Sequence, residues 1–253
     1  MIANSKLVKQ RNLMEANRNY ASELQSLVNA IISAKPDLQS DYLLKHDSNK
    51  AYNILFCSDL GLCGAYNSNT IKFAKQNLNK EDPLVVFGTH AYRHLKNEGF
   101  NVVNEMIEID NLSQSEISKE MSKALKAYQK DEVSKIQVVY TRFINTVSFE
   151  TTLNVLLPYQ AQEGDASKVR DVLFDPDEKS VLNNLIEQMV HNVTYSLSLE
   201  SKTSEQAGRR LAMETASDNA DDLEEKLVLQ FNQARQAEIT QEINEIVSGA
   251  DAL

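Results

Sequence analysis

The chain has 253 residues with 42% hydrophobic and 25% charged side chains, the profile of a protein that buries a real core. Its formal charge of -10 argues against a general nucleic-acid binder, which needs clustered Lys and Arg to neutralise phosphates. No apolar run approaches the ~18 residues needed to span a bilayer, and the opening residues lack the charged-then-apolar pattern of a signal or transit peptide.

Residues 1–34 contain no Gly or Pro and stop just before Pro36. Leu7, Met14, Ala21 and Val28 recur every seven residues, with Leu24 and Ile31 between them, the seam of a helix that packs on another helix. Gln10 and Asn17 interrupt that seam.

The middle alternates short apolar runs with amphipathic stretches. Strands are expected at 52–57, 84–88, 136–140 and 151–157, with a weaker alternation at 102–109. Helices are expected at about 65–76, around 90–97, and over 113–130, where Ile117, Met121, Leu125 and Tyr128 share one face. This order predicts an α/β layer domain with a largely parallel sheet. Phe174-Asp175-Pro176-Asp177 reads as the exit from it and the N-cap of a last helix. The chain thus divides into a helix at 1–34, an α/β domain at 35–175 and a long helix at 176–253.

From 177 to 248 there is no proline, and Gly208 is the only glycine before Gly249. A helix over that span would run about 105 Å. Its far half carries Leu223, Leu227, Phe231, Ile239, Ile243 and Ile246, a stripe a lone helix would expose to water. The stripe is expected to lie in a partner; the alternatives are a fold back onto the domain or pairing with a second copy.

Two cysteines, Cys57 and Cys63, are too few for a secreted disulfide framework and are expected to stay thiols. Gly61 and Gly64 sit between a strand and a helix, but their spacing is not that of a phosphate cradle; a tight turn is the expected role. His90 and His94 have the i, i+4 spacing of a helical metal pair without a third ligand cluster, so no metal is expected. Four scattered histidines show no catalytic constellation, and no cofactor motif is present. Asp218, Asp221, Asp222, Glu224 and Glu225 read as a charged helix face.

Three blocks resemble the gamma subunit of F-type ATP synthases. They are NQARQAEITQEINEIVSGADAL at 232–253, SDLGLCGAYN at 58–67 (similar to that family's SDRGLCGGLN-type turn) and the opening MIANSKLVKQRNLMEANRNYA. TSEQAGRRLAMETASDNADDL at 203–223 keeps most of the chain in register. The resemblance implies a non-catalytic rotor shaft: an antiparallel coiled coil of the terminal helices plus a Rossmann-like α/β domain. It also implies alpha and beta subunits around the shaft, an epsilon subunit and a membrane rotor ring below, and one copy per complex. The expected location is peripheral, on the cytoplasmic face of a bacterial plasma membrane.

By the same resemblance, Arg235 and Gln236 contact an acidic loop of beta, with Ile239, Thr240, Glu242, Ile243, Glu245 and Ile246 on the same rotor tip. A solvated polar face is the alternative for Thr240, Glu242 and Glu245. Tyr195 and Glu200 match positions near the membrane ring or epsilon, and Lys6 and Lys9 match a basic stretch facing beta or are simply solvated. Leu60 stands where the family usually has a basic residue. Met1 aligns inside the family's first helix, so the match lacks about twenty N-terminal residues, about 30 Å of helix. Two readings from other classes remain: a free-standing nucleotide-binding α/β enzyme with helical arms, and a coiled-coil adaptor or homodimer.

Overall fold

A computed structural model describes residues 2–44, 46–110, 112–165, 169 and 174–251, with side chains described throughout except at 2 and 247–251. Contacts divide the chain into two compact units, Met1–Arg210 and Leu211–Leu253.

The first unit begins with α1, Ile2–Ala34. Leu7, Met14, Ala21 and Val28 are all buried, as the heptad spacing predicts. The last helix, α5, is assigned over Glu178–Asp251. Asp177 caps it, accepting from the Ser180 amide at 2.9 Å and the Ser180 hydroxyl at 2.7 Å. Lys35 pairs with Glu178, and Arg18 stands 4.0 Å from Glu200. As α1 is followed backward α5 advances, so the two helices run antiparallel.

Between them lie β1 (Ala51–Phe56), α2 (Tyr66–Asn77), β2 (Leu84–Phe87), α3 (Thr89–Asn97), α4 (Gln114–Gln129), β3 (Lys135–Phe143) and β4 (Phe149–Leu157). The sheet order is β2-β1-β3-β4. β1 pairs in parallel with β2 and β3, whereas β4 returns antiparallel on β3. Every residue of β1 and β2 is buried, as expected for strands covered on both faces. The weak alternation at 102–109 forms no strand; it contributes isolated bridges at Val102 and Ile107 along the β2 edge. Asn104 explains this, because its side-chain amide accepts from Val86 N and donates to Val86 O, both at 2.9 Å, taking a strand's place.

Alternate residues of the strands feed two cores. Tyr52, Ile54, Phe56, Val85 and Phe87 pack with Val28 and Ile31 of α1, Met121 and Leu125 of α4, and Leu182, Ile186 and Val190 of α5. Leu55, Val86 and Val139 pack with Ile71 and Ala74 of α2 and Ala91 and Leu95 of α3. All four apolar residues expected on one face of α4 are buried, and a capping box at Ser113 and Glu116 sets its start.

Candidate functional site

Within the second unit, every described residue from Met213 to Ile246 is exposed. At 3.6 residues per turn, Leu223, Leu227 and Phe231 cover one arc of the helix, and Ile239, Ile243 and Ile246 cover another about 130° further round. All six are exposed. Arg235 and Glu242 fall on one flank of the isoleucine arc, Gln236 and Thr240 on the other. Glu245 falls outside both flanks, and its carboxylate accepts from Gln241 Nε2 at 3.0 Å. The Thr240 hydroxyl donates to Gln236 O at 2.8 Å, satisfying itself on its own helix. The candidate tip is therefore an apolar arc bordered by an arginine, a glutamate, an amide and a hydroxyl. The motif's side chains from 247 onward lie outside the described residues.

Tyr195 and Glu200 do not form a surface pair. Tyr195 is half-buried against the core, and Glu200 is only 7% exposed. Glu200 Oε1 accepts from the Phe143 amide at 3.1 Å. Burial pushes its carboxyl above the ordinary range, and Arg18 partly opposes that shift.

Glu200 belongs to a run that sequence reasoning missed: Ser198, Glu200, Ser201, Thr203, Ser204, Glu205 and Gln206 are all buried and polar. Its origin is a mismatch in strand length. The pairing of β1 with β3 ends at Leu55 and Val139, while β3 continues to Phe143. The backbone groups of β3 beyond that point need partners. Side chains of α5 supply them: Thr141 N donates to Ser201 Oγ at 3.2 Å, Thr141 O accepts from Ser204 Oγ at 2.9 Å, and Phe143 N finds Glu200. Ser201 Oγ also meets the Tyr66 hydroxyl at 2.8 Å. The available signal was the spacing Leu197, Ser201, Ser204, Gly208, where the helix's apolar period continues in small residues.

The glycine turn closes on the same stretch. A Cβ at Gly208 would lie 2.7 Å from Cys63 O. Arg209 holds Glu205 Oε1 at 2.5 Å and reaches Leu60 O and Gly61 O at 3.4 Å. Gly64 has φ +62, a left-handed conformation that glycine adopts without the strain a side chain brings. Gly61 faces open space without a positive φ, so the expected need for glycine there does not hold.

Open α/β sheets bind ligands beyond the carboxyl ends of their parallel strands. Here Ser201, Ser204, Glu205 and Gly208 of α5 pack against the turn after β1 and the end of β3. The crevice a nucleotide would use is filled by the chain's own helix, which weighs against the free-standing enzyme.

Cys57 and Cys63 are buried free thiols. Burial pushes Cys57 up to about 12 and raises Cys63 as well. Asn67 Oδ1 accepts from Cys57 Sγ at 3.1 Å and Ser58 Oγ at 2.6 Å, tying the turn to α2. The His90 and His94 rings lie with centroids 5.2 Å apart, tilted by 32°, and burial lowers the His90 pKa. Among the described residues, no group of three or more His, Cys, Asp or Glu is placed to hold a metal ion.

The protein-family model for ATP synthase matches residues 1–253. The chain is 38% identical over 257 residues to an ATP synthase gamma chain of Mycoplasma mycoides subsp. mycoides SC, covering 100% of this chain and 90% of the relative. It is 35% identical over 256 residues to the ATP synthase gamma chain of Clostridium novyi, with the same coverage. Among solved structures, its fold resembles a chain from the central stalk and c-ring of the Tetrahymena thermophila mitochondrial ATP synthase, with TM-score 0.66, 21% identity and coverage of 86% of this chain and 96% of that one. A chain of the Euglena gracilis mitochondrial ATP synthase matches with TM-score 0.63, 15% identity and coverage of 98% and 95%.

Proposed function

This chain belongs to the gamma-chain family of ATP synthases, and from that membership we propose that it is the central-stalk rotor of an F-type ATP synthase or ATPase. It couples rotation driven by ion flow through a membrane ring to ATP synthesis or hydrolysis in a ring of alpha and beta subunits. The chain itself is mechanical, not catalytic. The observation that carries this reading is the exposed apolar stripe from Leu223 to Ile246 on the helix at 213–246, which needs a sleeve built by other chains.

The two apolar arcs, about 130° apart, make the helix asymmetric about its axis. A ring of three alternating sites would meet a different face at each site. Differential contact of this kind biases each site toward a distinct nucleotide affinity. Arg235 suits an acidic loop at the sleeve's rim, because its planar fork holds a carboxylate at two points. Gln236 borders the same arc and can donate a hydrogen bond to that loop, whereas Glu242 needs a basic or N–H partner elsewhere on the ring. Glu200 is assigned to the interior of the first unit, and Tyr195 stays a candidate for the epsilon or membrane-ring side. No helix of the described residues is long and apolar enough to cross a membrane. The subunit is proposed to sit peripherally, on the cytoplasmic face, in one copy per complex beside an epsilon subunit.

The test is assembly followed by turnover. Alpha and beta subunits from the same cell should bring this chain down, and their failure to do so would end the reading. In the assembled complex, Arg235→Ala with Gln236→Ala should lower coupled ATP turnover while the first unit stays folded. Unchanged turnover would remove Arg235 and Gln236 from the contact. A stable homodimer by light scattering would favour the adaptor instead.

A further inference from the structure

We propose that the buried polar run Glu200-Ser201-Ser204, closed by Gly208, is a key that fixes the axial and rotational register of α5 on the sheet. Its functional consequence rests on the rotor reading above; its geometry does not.

Apolar packing alone is a weak register device. Leu182, Ile186, Val190, Val193 and Leu197 present a repeating surface, and a helix displaced by one turn would bring one of these residues to the place of another. The next part of the seam is different. Ser201 and Ser204 meet the N–H and C=O of a single residue, Thr141, and Glu200 meets the N–H of Phe143. Those backbone groups do not repeat along the helix, because β1 has already ended. A displacement of one turn would put Ser201 in the place of Ser204, or Ser204 in that of Ser201, so it would keep a hydroxyl on one side of Thr141 but lose at least one of the three hydrogen bonds. It would also bring Ser204 or Leu211 to the place of Gly208, where a Cβ falls 2.7 Å from Cys63 O. Buried polar groups used in this way give up some stability for a unique arrangement.

A shaft that transmits torque needs such a key. Hydrophobic contacts resist separation but are non-directional, so they resist rotation about the helix axis weakly. Hydrogen bonds to fixed backbone positions resist it directly. Ser201 and Ser204 are therefore positioning residues: both are fully buried, and they hold α5 at one angle to the α/β domain.

The experiment uses the full chain carrying Lys72→Cys and Gln188→Cys, both at exposed positions, with spin labels read by pulsed electron resonance. The background with native Ser201 and Ser204 should give one distance. Ser201→Ala with Ser204→Gly, which removes two of the hydrogen bonds and also the Cβ that a one-turn shift would drive against Cys63 O, should add a second component displaced by about one helical turn, 5.4 Å. Thr70→Ala, which removes a buried hydroxyl from α2 without touching the helix backbone of α5, should lower stability and leave one distance. If the double variant does not fold, Ser204→Gly alone serves, since it also removes the Cβ that blocks the shift and should give the second component in smaller proportion. A single unchanged distance in a folded variant overturns the proposal. In the assembled complex, ions pumped per ATP should fall at least about twofold, the lower end of what a coupling position gives. A shifted distance with unchanged pumping would retain the key and overturn its role in torque. Failure of the chain to assemble would count against the rotor reading and leave the distance result standing.

Discussion

Gly208 of α5 approaches the Cys63 carbonyl so closely that a Cβ on the glycine would lie 2.7 Å from that oxygen. Inside a helix, Gly→Ala ordinarily stabilises by about 1 kcal/mol. At this position the sign should reverse. Gly208→Ala should lower stability by about 1–3 kcal/mol, because backbone must move to admit the methyl group. Thermal melts check this, with Gly61→Ala as the control: nothing lies within 4 Å of a Cβ there, and it should be nearly silent. A melting temperature raised by Gly208→Ala would contradict the packing of the turn on α5.

Glu205 is 2% exposed and its Oε2 has no hydrogen-bond partner. Burial raises its pKa, opposed by Arg209, and burial raises that of Glu200 too. The folded chain therefore holds protons at these sites more tightly than the unfolded chain. Their stabilising contribution is present below the ordinary carboxylate range and is lost as pH rises through the raised values. Glu116 and Asp177 have lowered pKa values, so the stability they contribute is lost only below the ordinary range. Urea midpoints at about pH 5 and about pH 7.5 should show the loss, and Glu205→Gln with Glu200→Gln should flatten it. An undiminished pH slope in the double variant would sink the assignment.

Gln10 Oε1 and Asn17 Oδ1 are buried without partners at two positions of the α1 seam. Each leaves a carbonyl oxygen desolvated, which costs about 1–3 kcal/mol. Leucine at these positions should stabilise the first unit by about 1–2 kcal/mol each, since it joins the apolar seam of Leu7, Met14 and Ala21. A higher urea midpoint is the expected result. A lower one would mean that both amides have partners in solution.

Cys57 and Cys63 should resist alkylation in the folded chain. Both are buried, and the thiolate that reacts is strongly disfavoured where the Cys57 pKa is about 12. Iodoacetamide should label both only after unfolding in denaturant, read by mass. Rapid labelling under native conditions would show that the turn at 58–67 opens.

The elements whose order could be read in advance are those with a strong local pattern. The α1 heptad, the face of α4 and the continuous apolar runs of β1 and β2 each bury residues at the period of their own backbone, so local spacing announces them. The stretch at 102–109 misled because a side chain, Asn104, did the work of a strand. Gly61 and Gly64 looked alike as a pair, but only the backbone angle at Gly64 and the open space at Gly61 separate them. Glu200 matched a family position by sequence while its environment, unreadable from neighbours in the chain, turned it inward.

By itself the sequence determined the helical arms, the strand and helix alternation, the family and the exposed stripe from Leu223 to Ile246. Each of these depends on the order of apolar and polar residues within a few turns of chain. Tertiary structure alone decided that β4 runs antiparallel, that α5 occupies the crevice beyond β1, and that Ser201, Ser204 and Gly208 are contact residues. Their partners at Thr141 and Cys63 lie far away in the sequence. A small or polar residue on a helix carries no pattern of its own; its meaning is set by the backbone that comes to meet it.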